Sequence, residues 1–289
     1  MNTIESSENP PWKAIAWFGL FLVLAYFPVL IGLVKHWNTD DDMGHAFFVP
    51  LVAAYVAWDN KKFLFSLKPN PSILGVLLML WGIAQLYIGS LGAEFFLQRS
   101  ALLISLVGVV LATGGWPLLR ALFFPLSLLI FMIPIPAVIY NQITFPLQLF
   151  ASSVAENVLL LMGIPVLRDG NVLELASQKL SVVEACSGIR SLLSLSFLSL
   201  VYAYFFDKRP MMRLYLLLAT IPIAIIANAG RVTATGVLSE IDPKLAQGVF
   251  HEMEGWVVFV IAGILLALTH QLFSFILNWR ERKSQAVPI

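Results

Sequence analysis

Charge and cysteine are both scarce in this chain of 289 residues. Charged residues make up 12% and hydrophobic residues 59%, with a mean hydropathy of +0.84; that balance excludes the soluble globular class and indicates a polytopic membrane protein. The net charge is only +1, and Lys and Arg fall in short clusters between apolar runs, so no basic face is available for nucleic acid. With Cys186 as the single cysteine, an intramolecular disulfide and a Cys-based metal site are both excluded, and no cofactor is expected. Internal repeats, low-complexity tracts and flexible linkers are also missing, so one domain over residues 1–289 is expected. A cleavable signal peptide is not expected either. Glu5 and Glu8 precede a first apolar run longer than the roughly 7–15 residues of a signal core, which reads as an uncleaved span.

The expected fold is all-α, a polytopic membrane helix bundle. Apolar runs of about the 17–25 residues needed to cross a bilayer lie at 14–34, 72–92, 98–115, 121–140, 187–206, 214–237 and 255–278. A shorter run, 43–58, brings the total to about eight transmembrane helices. Three basic clusters set the orientation by the positive-inside rule: Lys61, Lys62 and Lys68; Lys208, Arg209 and Arg213; Arg280, Arg282 and Lys283. All three, and both termini, are expected on the cytoplasmic side, which turns Cys186 outward. Segment 141–162 carries Gln148, Ser152, Ser153, Glu156 and Asn157 at helical spacing on one face. Counting crossings between Lys68 and Cys186 leaves no room for it as a span, so it is expected to be an amphipathic helix in the outer interface. Beyond it, partial alternation around Asp169-Gly170 predicts a small extracytoplasmic β-hairpin leading toward Cys186.

Cys186 stands where this water-exposed segment becomes the apolar run 187–206. It is either a small packed hydrophobe or a nucleophile. The helix start favours the nucleophile, because free N–H groups and the helix dipole stabilise a thiolate. Arg231 lies inside an apolar span, where a charge marks a functional site unless it snorkels to the interface. Asn228, about one turn deeper, is placed to hydrogen-bond it. His251 opens the last helix; alone it reads as a solvated interfacial histidine, but the expected topology sets it at the same side and depth as Cys186 and Arg231. A thiol, a cation and an imidazole so grouped form an activated cysteine nucleophile. Glu184 and Arg190 flank the thiol. Arg190 either supports the thiolate or binds an acidic group, or it anchors the helix at lipid phosphate. His45, at the outer end of 43–58, either lines the same cavity or anchors at the interface; His36 and His270 read as interface and packing residues.

The string Glu184-Ala185-Cys186-Ser187-Gly188-Ile189-Arg190, followed by Asn228-Ala229-Gly230-Arg231 and by His251 ahead of Glu254-Gly255, resembles the exosortase branch of the exosortase and archaeosortase family. Gly44-His45-Ala46-Phe47-Phe48-Val49-Pro50 and Met132-Ile133-Pro134-Ile135-Pro136 match as well, and the resemblance covers a core of about 40–278. It implies an inner-membrane cysteine protease or transpeptidase acting on exported proteins that carry a C-terminal Pro-Glu-Pro motif, a membrane helix and a basic cluster. In that family such proteins accompany exopolysaccharide and biofilm surface assembly. The resemblance makes Cys186 the nucleophile, with Arg231 and His251 completing the catalytic set, and a membrane lipid is one class of acceptor. Some relatives carry a further soluble domain; here any such accessory is expected as a separate protein. Two other classes stay in view: a channel or transporter whose path is lined by Arg231 and His251, and a non-catalytic scaffold for polysaccharide export.

Overall fold

A computed structural model describes residues 12–182, 189–242 and 249–285, and the chain divides after Pro136 into two compact units. In the first unit, α1 (Trp12–Ala25) and α2 (Phe27–Thr39) replace the single straight span expected at 14–34. They meet at a bend of 68°. Pro28 supplies the cause, since its ring removes an N–H and clashes with the carbonyl four residues earlier. Tyr26 sits in the corner, 2% exposed, and its hydroxyl donates to the Ala101 carbonyl at 3.1 Å and lies 2.7 Å from the Ser105 hydroxyl. A 3-10 turn, Asp41–Phe47, then leads to α3 (Phe48–Asp59) and α4 (Lys61–Ser66). The 12 residues of α3 rise only about 18 Å. α3 alone is therefore too short to cross, and segment 43–58 approaches the needed length only together with the 3-10 turn, which rises about 2 Å per residue.

Next come α5 (Ile73–Leu91) and α6 (Phe95–Thr113), the tightest pair in this unit. Gly75, Gly82 and Gly89 repeat every seven residues along α5 and are its buried positions. In hydrocarbon, helices associate by close backbone approach and not by apolar burial, which puts small residues at the seam. A Cβ on Gly75 would stand 2.1 Å from the Ala112 backbone nitrogen. Gly75→Leu should therefore force the pair apart and destabilise the fold by about 3 kcal/mol, the top of the usual overpacking range. Thermal unfolding of the purified protein measures this, with Gly19→Ala, whose Cβ meets nothing within 4 Å, as the neutral control. The unit closes with α7 (Gly115–Leu128) and a 3-10 turn, Leu129–Met132, whose last carbonyl accepts from the Trp37 indole at 2.9 Å.

In the second unit, α8 (Ala137–Leu161) precedes a three-stranded antiparallel sheet, β1 (Val166–Asp169), β2 (Val172–Leu175) and β3 (Lys179–Ser181), in that order. The tight turn is Gly170-Asn171 and not Asp169-Gly170, because Asp169 pairs with Val172. Gly170 has φ +61°, which suits a turn needing the left-handed region at its first central position. Three long helices follow: α9 (Ile189–Phe206), α10 (Pro210–Ile241) and α11 (Val249–Gln285). Leu195, Leu216, Ile223, Ala227, Ala262 and Leu266 form their common core.

The protein is thus a multi-pass helical membrane protein with a small sheet. Among the described residues, six helices are long and apolar enough to cross, and the bent α1–α2 pair makes seven. Counting α9 as well restores about eight, but the membership changes. Residues 43–58 do not form one long helix, while the expected division into a span at 121–140 and an interfacial helix at 141–162 is redrawn as 115–132 and 137–161. Pro134 and Pro136 explain the shift, since neither can continue a helix from the preceding turn. Four candidate crossings now separate Lys68 from Cys186 where three were counted. If α8 crossed fully, Lys208, Arg209 and Arg213 would face outward against the positive-inside rule. A topology reporter at Gly170 is therefore expected to read outside; a cytoplasmic signal would make α8 a full crossing and reverse the sheet.

Candidate active site

Of the polar stripe of α8, Gln148 and Ser152 are buried, Ser153 and Glu156 half-buried and only Asn157 exposed, which corrects its expected role as a water-facing surface. Gln148 and Ser152 are 6% and 0% exposed, and with Glu156 they form a ladder at four-residue spacing. Each rung meets the hairpin. Asn171 donates to Gln148 Oε1 at 3.2 Å, Ser152 donates to the Gly170 carbonyl at 3.2 Å, and the Arg168 guanidinium pairs with Glu156 at 2.8 Å. The stripe ascends α8 as its partners descend from 171 to 168, a complementarity already written in the sequence.

This dock fixes the chain that leads to the thiol. The Val182 N–H donates to the Asn171 carbonyl at 3.0 Å, extending the β3 pairing by one residue. Val182 is fully buried in a cluster with Leu159, Leu173, Ala229 and Val232. Ala229 and Val232 bracket Arg231, so the segment entering the cysteine motif and the turn of α10 that carries the arginine share one core. Glu184 and Cys186 themselves lie outside the described residues. Arg190 is exposed in the first turn of α9.

Arg231 is half-buried in α10, which continues to Ile241 instead of ending near Val237. The arginine is therefore ten residues, about 15 Å, from the helix end, further than a short snorkel from Val237 would require. Its guanidinium packs on α11. A methyl placed on Gly255 would lie 3.5 Å from Nη2, 3.6 Å from Cζ and 3.8 Å from Nη1, ordinary contact distances. His251 is in the first turn of α11, one turn before Gly255, which is about 6 Å along the axis. Gly255 is the residue that sequence reasoning passed over: it stands beside His251 in the motif, and its small size admits the arginine.

Asn228 lies one turn before Arg231 and is 6% exposed. With Ile143, Pro146, Leu147, Leu192 and Ile225 it lines a cleft of about 280 Å³ between α8, α9 and α10, where it is the only polar side chain among the described residues. Its amide makes no hydrogen bond with another described residue, so the expected bond to Arg231 is not formed. His45 belongs to the first unit, where a ring nitrogen lies 3.2 Å from the Phe131 carbonyl and ties one 3-10 turn to the other. His270 packs as expected against Tyr202, but it also lies 3.3 Å from the buried Asp207 carboxylate.

The sheet dock, the buried core shared by Val182 and the Arg231 turn, and the guanidinium seated one turn from His251 all fall within a longer pattern of residues. No curated protein and no solved structure matches the chain. The sequence model of the transmembrane exosortase family does match, over residues 37–268, and its span takes in Cys186, Arg231, His251 and Gly255. That match covers most of the 289 residues, and the chain belongs to the transmembrane exosortase family.

Proposed function

We propose that this protein is a membrane cysteine peptidase or transpeptidase that removes C-terminal sorting tails from exported proteins at the outer face of the inner membrane. The tail is a Pro-Glu-Pro motif, a membrane helix and a basic cluster, and the setting is assembly of the exopolysaccharide surface. The observation that carries the reading is the Arg231 guanidinium against Gly255, one turn from His251. A cation held one helical turn from a histidine offers what a thiol needs to become a nucleophile in a poorly solvated site.

In the reaction, the Cys186 sulfur bonds to a peptide carbonyl carbon near the Pro-Glu-Pro segment, and the carbonyl electrons move to oxygen. Arg231 offsets the negative charge, on the thiolate before attack or on the oxyanion after it. His251 accepts the thiol proton and returns it to the departing amine as the C–N bond breaks, leaving a thioester. Water, an amine or a lipid hydroxyl then takes the acyl group and releases the thiol. The apolar cleft holding Asn228 suits the first residues of the tail helix, and the amide can pair with a backbone group before that helix begins. Arg190 and Glu184 flank the nucleophile in sequence, and a separate soluble accessory protein would join the enzyme without changing this chemistry. Co-expression with a Pro-Glu-Pro-tailed reporter tests the proposal: the wild type should shorten the reporter on a gel, and an unshortened reporter at normal protein levels would reject it.

A further inference from the structure

Within the first unit, α2 and α6 leave an open cleft of about 340 Å³ between them. Lys35, His36 and Thr39 line it from α2, and Gln98 and Arg99 from α6, while Gly32 leaves its floor open. Arg99 is the only charged residue in the 19 residues of α6, and Lys35 and His36 are the only titratable ones in α2. The surrounding carboxylates do not neutralise the pair. Asp40 lies 3.2 Å from His36 Nε2, and Glu94 attracts Arg99 but spends one oxygen on the Leu97 N–H at 2.7 Å. No ion pair joins Lys35 or Arg99 to a carboxylate among the described residues.

The position of these cations is as informative as their number. The far end of α6 packs Val110 and Leu118 of α7 against Leu64, next to the Lys61 and Lys62 that orient the chain. Arg99 is one turn from the opposite end, so the positive-inside rule gives no reason for a second basic group there. Arg99 is half-buried, with its guanidinium 5.5 Å from the Phe95 ring, which holds the fork toward the cleft and out of bulk water.

We propose that this cleft binds a phosphate ester, the headgroup of an anionic membrane lipid. A planar guanidinium presents parallel N–H donors that match two phosphate oxygens, and an ammonium one helix away supplies the second charge. Thr39 and Gln98 offer polar groups for the glycerol side, and the open floor at Gly32 admits the start of an acyl chain. Basic pockets between membrane helices near the headgroup level take such ligands. The site is built wholly from α2 and α6 and does not depend on the peptidase reading.

The test uses the full-length protein in detergent, with bound lipid measured by native mass spectrometry during titration with phosphatidylglycerol or phosphatidylcholine. Wild type should retain phosphatidylglycerol about tenfold better than phosphatidylcholine, because the choline cation offsets the phosphate charge of phosphatidylcholine and competes with Arg99 and Lys35 for it. Arg99→Gln and Lys35→Gln should each erase that preference while eluting and melting as wild type does without lipid. Arg99→Lys, which keeps the charge, should retain part of it, so a folding defect is distinguishable from a lost site. Millimolar inorganic phosphate separates the sources: displacement of the lipid means that the phosphate group alone is recognised, and no displacement means that the whole headgroup is. Equal retention of the two lipids by wild type, or an undiminished preference in both Gln variants, overturns the proposal.

Discussion

Cys186→Ala is expected to leave the tailed reporter uncut, with processing lowered by about a thousandfold or more, while the protein inserts and folds as wild type does. The loss is large because removing a nucleophile removes the covalent step itself, not one contact among many. Folding should be spared, since the variant deletes a single sulfur and keeps a residue compatible with the start of a helix. Cys186→Ser should be nearly as inactive. A hydroxyl is far harder to ionise than a thiol, and one cation with one imidazole is tuned to the easier task. A thiol alkylator should inactivate the wild type in step with labelling, and excess tailed substrate should slow both. Unchanged processing by Ala and Ser variants at matched protein levels would remove the nucleophile and, with it, the peptidase reading.

Arg231→Lys should carry the second largest loss. The ammonium keeps the charge but not the planar fork, and its shorter reach leaves the surface of α11 where the guanidinium rests on Gly255. Loss of an oriented donor to a developing oxyanion costs about 100-fold in rate, and that is the drop expected here. Two variants across the contact locate the effect. Gly255→Ala adds a methyl that would just touch the guanidinium at 3.5 Å and should keep most activity. Gly255→Leu should displace the arginine and reproduce the Arg231→Lys loss without altering any charge. The pH dependence of Cys186 alkylation supplies a readout that packing alone would not move: if Arg231 stabilises the thiolate, the labelling midpoint in Arg231→Lys shifts to higher pH. Full activity in Arg231→Lys would reduce the residue to a simple point charge or an anchor.

The helical character of the chain was plain from its apolar runs, because hydrocarbon-facing helices must be continuously apolar and satisfy their own backbones. Where those runs break was less plain. Pro134 and Pro136 lie inside a stretch that hydropathy alone draws as unbroken, and only the geometry shows them ending one helix and preceding a 25-residue one. Pro28 acts likewise within 14–34. Hydropathy registers composition and is insensitive to a missing N–H. The same blindness misassigned Gln148, Ser152 and Glu156: a polar stripe on a membrane helix means water or a polar partner, and the partner, Arg168 to Asn171, was the very next element. Arg231 and His251 were legible as charges in unlikely surroundings. Gly255 was not, because a glycine signals only that something comes close.

The dock between α8 and the sheet also bears on how the protein is made. Residues 137–182 are contiguous, so the ladder from Gln148 to Glu156 can close on the hairpin as soon as that stretch leaves the ribosome, before α10 or α11 exists. Seven of the nine buried residues of the core around Val182 are then in place, and Ala229 and Val232 complete it only when α10 arrives. The segment leading to Cys186 is thus anchored at its upstream end well before Arg231 is synthesised, and α11 brings His251 last of all.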